Sequence, residues 1–236
     1  TETVRLLNQS QITTRIRGSF TWAFWYRDTS VAVSELGGIQ LQSGLSQAVR
    51  IRTVPVAPGV QFLQTVVELN NVNSQSIDSI GTAIAANTWH HIAMTVQKGS
   101  GGANTATVKV YIDGTEKQSF SGPSTTNQEA AAVQDDTTWG VGSAIGDNGN
   151  GTAGGFTSGF FDEVAFWDTN LDALAVRAIY NAGTTFDLTS DNGNYDVSSD
   201  LQYYFRFEND YTDTKGNASN ATTEGSPVFS TSPTPP

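Results

Sequence analysis

The most regular feature of the chain is alternation of apolar and polar residues with a period of two, the spacing of strands whose side chains point to opposite faces. In SFTWAFWYR, Phe20, Trp22, Phe24 and Tyr26 share one face, and Thr21, Ala23 and Trp25 the other. Both rows are largely apolar, which predicts a strand covered on both sides. TVKVYIDGTEKQSF sets Val108, Val110 and Ile112 on one face before Asp113-Gly114, a dipeptide suited to a tight hairpin. GFFDEVAFWD aligns Asp162, Val164 and Phe166 against Phe161, Glu163, Ala165 and Trp167, and LQYYFRFEND aligns Leu201, Tyr203, Phe205 and Phe207. Further strands are expected at 4–7, 11–17, 39–42, 48–53, 62–69, 138–142 and 226–230.

One stretch has helical spacing instead. In TNLDALAVRAIYNAG, Leu171, Leu174, Ala175, Ala178 and Ile179 mark one face of a short helix near 170–181. Thr169 or Asn170 offers an N-cap, Asp172 suits the first turn, and Gly183 is placed to stop it. Many short strands separated by Gly- and Asn-rich turns, with this helix, predict an all-β fold, a two-sheet antiparallel sandwich. No repeat or linker divides residues 1–230, which read as a single domain. Residues 231–236 read as an extended Pro-rich tail.

Composition narrows the partners. The chain carries 12 Lys+Arg against 23 Asp+Glu, a formal net charge of −11. Such a surface repels phosphate backbones, so nucleic acid is not an expected partner, and no apolar run is long enough for membrane insertion. The chain has no cysteine, which excludes disulfides and thiolate chemistry. Its first residue is Thr1, as expected after either Met excision or signal cleavage. Sequons at Asn8, Asn150, Asn217 and Asn220 are what an Asn-, Ser- and Thr-rich chain produces by chance.

The two histidines, His90 and His91, are adjacent in NTWHHIAMTVQ. Adjacent strand residues face opposite ways, so the pair cannot hold one metal from a single strand. No nucleophile motif accompanies them. Both are expected to be structural strand residues.

The order of these segments carries a resemblance. NTWHHIAMTVQKGSG followed by TVKVYIDGTEK resembles the centre of laminin-G-like, concanavalin A-like jelly rolls. IGDNGNGTAGGFTSGFFDEVAFWDTNLDALAVRAIYNAG is similar to the next part of that family and of the pentraxins, and SFTWAFWYR stands where its early Phe-Thr strand belongs. Together these cover roughly residues 19 to 183. The C-terminal part resembles laminin-G-like proteins encoded by marine bacteriophages, with Asp187, Leu188, Arg206 and Gly216 at the corresponding places. The resemblance implies a jelly roll.

It also directs the search for sites. Glycosidases of this superfamily present two carboxylates toward a cleft. Here Asp162 and Glu163 are expected on opposite faces, and Asp162 and Asp168 at strand ends roughly 20 Å apart, beyond the roughly 5–9.5 Å that glycoside hydrolysis uses. The chain is therefore expected not to be an enzyme, and a glycoside hydrolase is the weakest reading. GDNGNG sits where pentraxins place acidic ligands, and Asp147, Asn148 and Asn150 are the candidate ligands of a calcium ion, with Asp135 and Asp136 close in sequence. The acidic loop SDNGNYDVSSD reads as a solvated connection. Trp25, Trp139, Trp167, Tyr203 and Tyr204 are the rings available for stacking on a glycan. The expected function is a non-catalytic binding or assembly module on an outer surface. Its setting is the virion surface of a bacteriophage, as a capsid decoration or appendage protein in contact with other virion proteins and with glycans. The alternative is a secreted or cell-surface lectin domain, calcium-dependent through the same loop.

Overall fold

The computed structural model describes residues 3–7, 18–29, 34–40, 48–57, 60–67, 75–77, 83–99, 105–123, 139–141, 144–147, 152–154, 159–218 and 221–230. In chain order the strands are β1 (Thr3–Leu7), β2 (Phe20–Asp28), β3 (Ser34–Gln40), β4 (Ala48–Ala57), β5 (Val60–Val67), β6 (Gln75–Ile77), β7 (Ala83–Ala85) and β8 (Trp89–Lys98). They continue with β9 (Thr105–Ile112), β10 (Thr115–Pro123), β11 (Trp139–Val141), β12 (Ala144–Asp147), β13 (Thr152–Gly154) and β14 (Gly159–Trp167). After the helix α1 (Ala173–Tyr180) come β15 (Leu201–Phe205) and β16 (Thr222–Glu224). Among the described residues, no helix is long and apolar enough to cross a membrane.

The strands form two sheets, one six-stranded in the order β10-β9-β8-β2-β14-β15. The other runs β16-β1-β11-β3-β4-β5-β6, with β7 on β5 and the β12–β13 pair attached to β3. Pairings are antiparallel except for β12 on β3. The expected strand at 11–17 lies outside the described residues. That at 226–230 is corrected: those residues are irregular, and the last strand is β16, four residues earlier in its start. Pro227 has no N–H to give to a ladder.

The alternation of β2 holds as read. Trp22, Phe24 and Tyr26 enter the core between the sheets with Ile92, Met94, Val108, Val110, Val164 and Phe166, meeting Val4, Leu6, Ile51 and Ile84 from the other sheet. Ala23 belongs to a second cluster on the outer side of the six-stranded sheet, with Ala93, Ala165, Leu171, Ala175, Val176 and Ile179. Ala23 lies between Ala93 and Ala165 across neighbouring strands, so three small side chains leave a trough that admits α1.

The ends of α1 differ from expectation. Asp172, rather than Thr169 or Asn170, is the N-cap, its carboxylate accepting from the Ala175 N–H at 2.8 Å. Thr21 fixes the approach: its hydroxyl donates to the Thr169 carbonyl and accepts the Leu171 N–H, both at 2.8 Å. The stop is Asn181 in the left-handed region (φ 49°), and Gly183 instead closes the single 3-10 turn that follows. At the C-terminal end of α1, Gly114 leaves room for Tyr180: a Cβ there would stand 2.9 Å from its ring.

Two strands shift phase. Between Asp162 and Ala165, β14 carries one residue more than β2, and Glu163 takes φ 51°. This bulge moves Phe161 onto the inter-sheet core and puts Asp162 opposite Trp25, on the side of α1. The expected row of Asp162 with Val164 and Phe166 is therefore wrong, because an inserted residue inverts the alternation. A second shift sets Leu201 opposite Trp167, in the cluster beneath α1, whereas Tyr203 and Phe205 enter the inter-sheet core. Phe207, at φ 57°, lies past the strand. The single row through 201, 203, 205 and 207 is corrected accordingly.

Candidate functional site

The bulge of β14 builds the chemistry of the α1 side of the sheet. Glu163 turns into a narrow cleft lined by Trp25, His91, Trp167, Ile179, Thr185 and Phe186 and partly open to solvent. Its side chain is only 7% exposed. The Tyr204 hydroxyl contacts Glu163 Oε2, and Arg206 Nε stands 3.3 Å from Oε1. Arg206 also reaches Glu208, at 3.7 Å. Burial pushes the Glu163 carboxyl up to about 8, against the pull of Arg206. Burial likewise raises Asp162 to about 6, opposed by the Glu163 N–H that donates to its Oδ1 at 2.9 Å. The two acids thus occupy one side of the sheet, contrary to the expectation of opposite faces. Glu163 is held by Tyr204 and Arg206, and Asp162 by the backbone of its own bulge.

The histidines divide as the alternation requires. His90 Nδ1 is 2.8 Å from Asp113 Oδ2, and the other carboxylate oxygen accepts the His91 N–H at 2.9 Å. Burial opposes ionisation of Asp113, yet the His90 contacts hold its carboxyl below the usual range. The Asp-Gly hairpin between β9 and β10 is thereby tied to β8. His91 faces the cleft, its ring edge-on to Trp25 at 5.4 Å. Burial drives its pKa down to about 4, so the ring is neutral at pH 7, and its Nδ1 has no hydrogen-bond partner.

One row further along the same face lie Trp89, Arg27 and Phe160, cross-strand neighbours on β8, β2 and β14. All three are half-buried. The Arg27 guanidinium lies 5.7 Å from the Phe160 ring centroid, and Trp89 and Phe160 are 6.4 Å apart. Arg27 Nε donates to the Asn87 carbonyl at 2.9 Å, which fixes the guanidinium against the sheet.

The rings expected to serve a glycan are elsewhere. Trp25, Trp167, Tyr203 and Tyr204 are all buried, and the Trp139 side chain lies outside the described residues. Trp89 and Phe160 were legible only as members of apolar strands. Their signal was position at a strand end, where alternation outlasts the cover of the helix.

Of the calcium candidates, Asn148 and Asn150, with Asp135 and Asp136, lie outside the described residues. Asp147 is seen as the last backbone position of β12, paired with Thr152. Among the described residues, no group of three His, Cys, Asp or Glu side chains is placed to hold a metal. The loop SDNGNYDVSSD is more than a solvated connection. Its Tyr195 is fully buried, accepts from Trp167 Nε1 at 3.0 Å and donates to the Leu188 carbonyl at 2.8 Å.

Comparison with known proteins agrees with this architecture. Residues 3–177 match the laminin-G-like family described as the concanavalin A-like lectin/glucanases superfamily, and the chain belongs to it. No curated protein matches the sequence. Among solved structures, a native heptameric SAP-like pentraxin from Limulus polyphemus is similar at 13% identity and TM-score 0.51, covering 94% of this chain and 87% of that one. A putative carbohydrate binding protein from Bacteroides ovatus is similar at 15% identity and TM-score 0.54, over 88% of this chain but 52% of that one, so the chain spans about half its length. The enzymatically active domain of tailspike protein 2 of bacteriophage CBA120 is similar at 14% identity and TM-score 0.50, over 81% of this chain and 27% of that one. At these identities the likeness is one of fold.

Proposed function

We propose that the protein is a non-catalytic binding and assembly module displayed on an outer surface, and that it takes carbohydrate at the Trp89–Arg27–Phe160 row. The observation that carries this reading is the contrast on one sheet face. Aromatic rings and a fixed guanidinium are half-exposed there, while both carboxylates are tied up by their own neighbours. Ring faces stack on the C–H faces of sugars, and guanidinium N–H groups donate to hydroxyls. The module's setting is a bacteriophage virion, as a capsid decoration or appendage protein beside other virion proteins. The C-terminal likeness to phage-encoded laminin-G-like proteins supports that setting.

Glycan-array binding that Trp89→Ala and Phe160→Ala each abolish, at unchanged melting temperature, is the expected result. Copurification with virions tests the setting. Hydrolysis of a β-glucan by the purified chain would overturn the non-catalytic reading.

The GDNGNG loop favours a second reading, a secreted lectin whose binding depends on calcium at Asp147, Asn148 and Asn150. A ligand of the native state stabilises by mass action. Millimolar calcium should then raise the melting temperature and chelator lower it; coincident melting curves remove the metal.

A further inference from the structure

Two tyrosine hydroxyls lie against carbonyls of the segment 184–188, which lines the cleft. Tyr195 donates to the Leu188 carbonyl at 2.8 Å, and Tyr204 stands 3.5 Å from the Phe186 carbonyl. The tyrosines differ in what lies behind them. Tyr195 Oη receives the Trp167 indole N–H at 3.0 Å, a donor that never loses its proton, so the Tyr195 proton always remains for Leu188. Behind Tyr204 stands the Glu163 carboxyl.

A phenol has one proton and can accept at its oxygen. When Glu163 is a neutral acid, its O–H donates to Tyr204 Oη, and the Tyr204 proton serves the Phe186 carbonyl. When Glu163 is ionised, it can only accept, and the Tyr204 proton goes to the stronger acceptor. The Phe186 carbonyl, to which no other donor among the described residues reaches, is then left without a protein partner.

We propose that Glu163, through Tyr204, is a proton-controlled latch on the segment 184–188: protonated, it holds that segment over the Trp25–His91–Trp167 cleft, and ionised, it releases it. The Leu188 end stays fastened by Tyr195 and the Thr184 end by its hydrogen bonds to Asn181, so the release is confined to the middle of the segment, at Phe186. The charged and titratable groups around Glu163 are Asp162 on β14, Arg206 and Glu208 after β15, and His91 on β8. Asp187 lies on the segment itself, and the Tyr180 ring of α1 packs on His91. Burial that keeps Glu163 protonated to about 8 places the change near neutral pH, whereas His91 changes charge far below it. This latch does not depend on the carbohydrate reading.

The test is amide hydrogen exchange of the peptide spanning 184–188, in the full chain, at pH 5.5 and 8.5 after correction for intrinsic rates. Protection should fall roughly three- to tenfold at the higher pH, the scale of one net hydrogen bond. Glu163→Gln, whose amide donates permanently to Tyr204, should keep the segment protected at both pH values. Tyr204→Phe should leave it equally unprotected at both. Asp162→Asn should retain the wild-type change. Wild-type protection that is the same at both pH values overturns the latch, as does a change that persists unaltered in Glu163→Gln. Should either Glu163 or Tyr204 variant fail to fold, the wild-type titration decides alone: the Glu163 carboxyl carbon and the Thr185–Leu188 amide resonances must share one midpoint, and separate midpoints overturn it.

Discussion

Among the described residues, Asp213 gathers four backbone N–H groups on one side chain. Its two carboxylate oxygens accept the N–H groups of Tyr204 (2.8 Å), Lys215 (3.1 Å), Asn217 (2.7 Å) and Ala218 (2.8 Å). One side chain thus fixes both the edge strand β15 and the turn that follows it, with Gly216 supplying the positive φ of 72°. Asp213→Ala leaves four donors short of an acceptor in a mostly buried place and should cost about 3 kcal/mol or more, read as a lowered urea midpoint. At Glu163 and His91 the burial penalties act in opposite senses with pH. Glu163 binds its proton more tightly folded than unfolded, so its contribution is present below the unfolded value of 4.5 and is lost as pH rises toward 8. His91 binds its proton less tightly folded, so stability is lost as pH falls from 6.5 toward 4. The two effects cancel where they overlap, between 4.5 and 6.5, so the melting temperature should be level across that span and fall above it through Glu163 and below it through His91. Glu163→Gln should flatten the upper limb and spare the lower one; two unchanged limbs would contradict the assignment.

The elements show what periodicity can and cannot reveal. β2 and β8 keep strict alternation, and their two faces were legible residue by residue, down to the separation of His90 from His91. β14 was not, because a bulge adds a residue without leaving a composition signal: Asp162-Glu163 reads the same in either phase. The row beneath α1 was half legible. Ala23, Ala93 and Ala165 are unremarkable in sequence, yet together they set how closely the helix packs. Enlarging one of them must lift α1 or force strained rotamers. Ala165→Leu should cost about 1–3 kcal/mol and expose Val176 and Ile179, whereas Leu174→Ala on the exposed side of the helix should cost well under 1 kcal/mol. Chemical denaturation of the pair measures the contrast. The helix caps escaped the sequence for a different reason: Asp172 was read as a first-turn acid, and the Thr21 hydroxyl that organises the preceding turn lies 150 residues away.

At the scale of the molecule, the C-terminal region belongs to both sheets. β15 is the edge of the six-stranded sheet, and β16 that of the larger one, so residues 201–224 run from one to the other. Tyr203 and Phe205 are both buried in the shared core, each worth about 1.5–3 kcal/mol. Deletion from Asp200 onward should therefore give an insoluble chain, while deletion of 231–236 should leave the fold intact; we propose that this tail contacts a neighbouring subunit. A soluble, cooperatively melting product of the longer deletion would contradict the first expectation, and normal incorporation into particles without 231–236 the second.

The pairing of β16 with β1 also decides how the molecule bears load. Thr3 stands opposite Glu224 and Arg5 opposite Thr222, so the backbone before Thr3 and that after Glu224 join this antiparallel pair at the same end. A pull that separates them strips Phe229 from the Tyr211 ring, 4.6 Å away, and then opens the pair one rung at a time. Rungs broken in sequence yield at low force, whereas rungs sheared together resist. Drag on the module transmitted through a single end spares that seam, and tension applied across both ends begins to undo it.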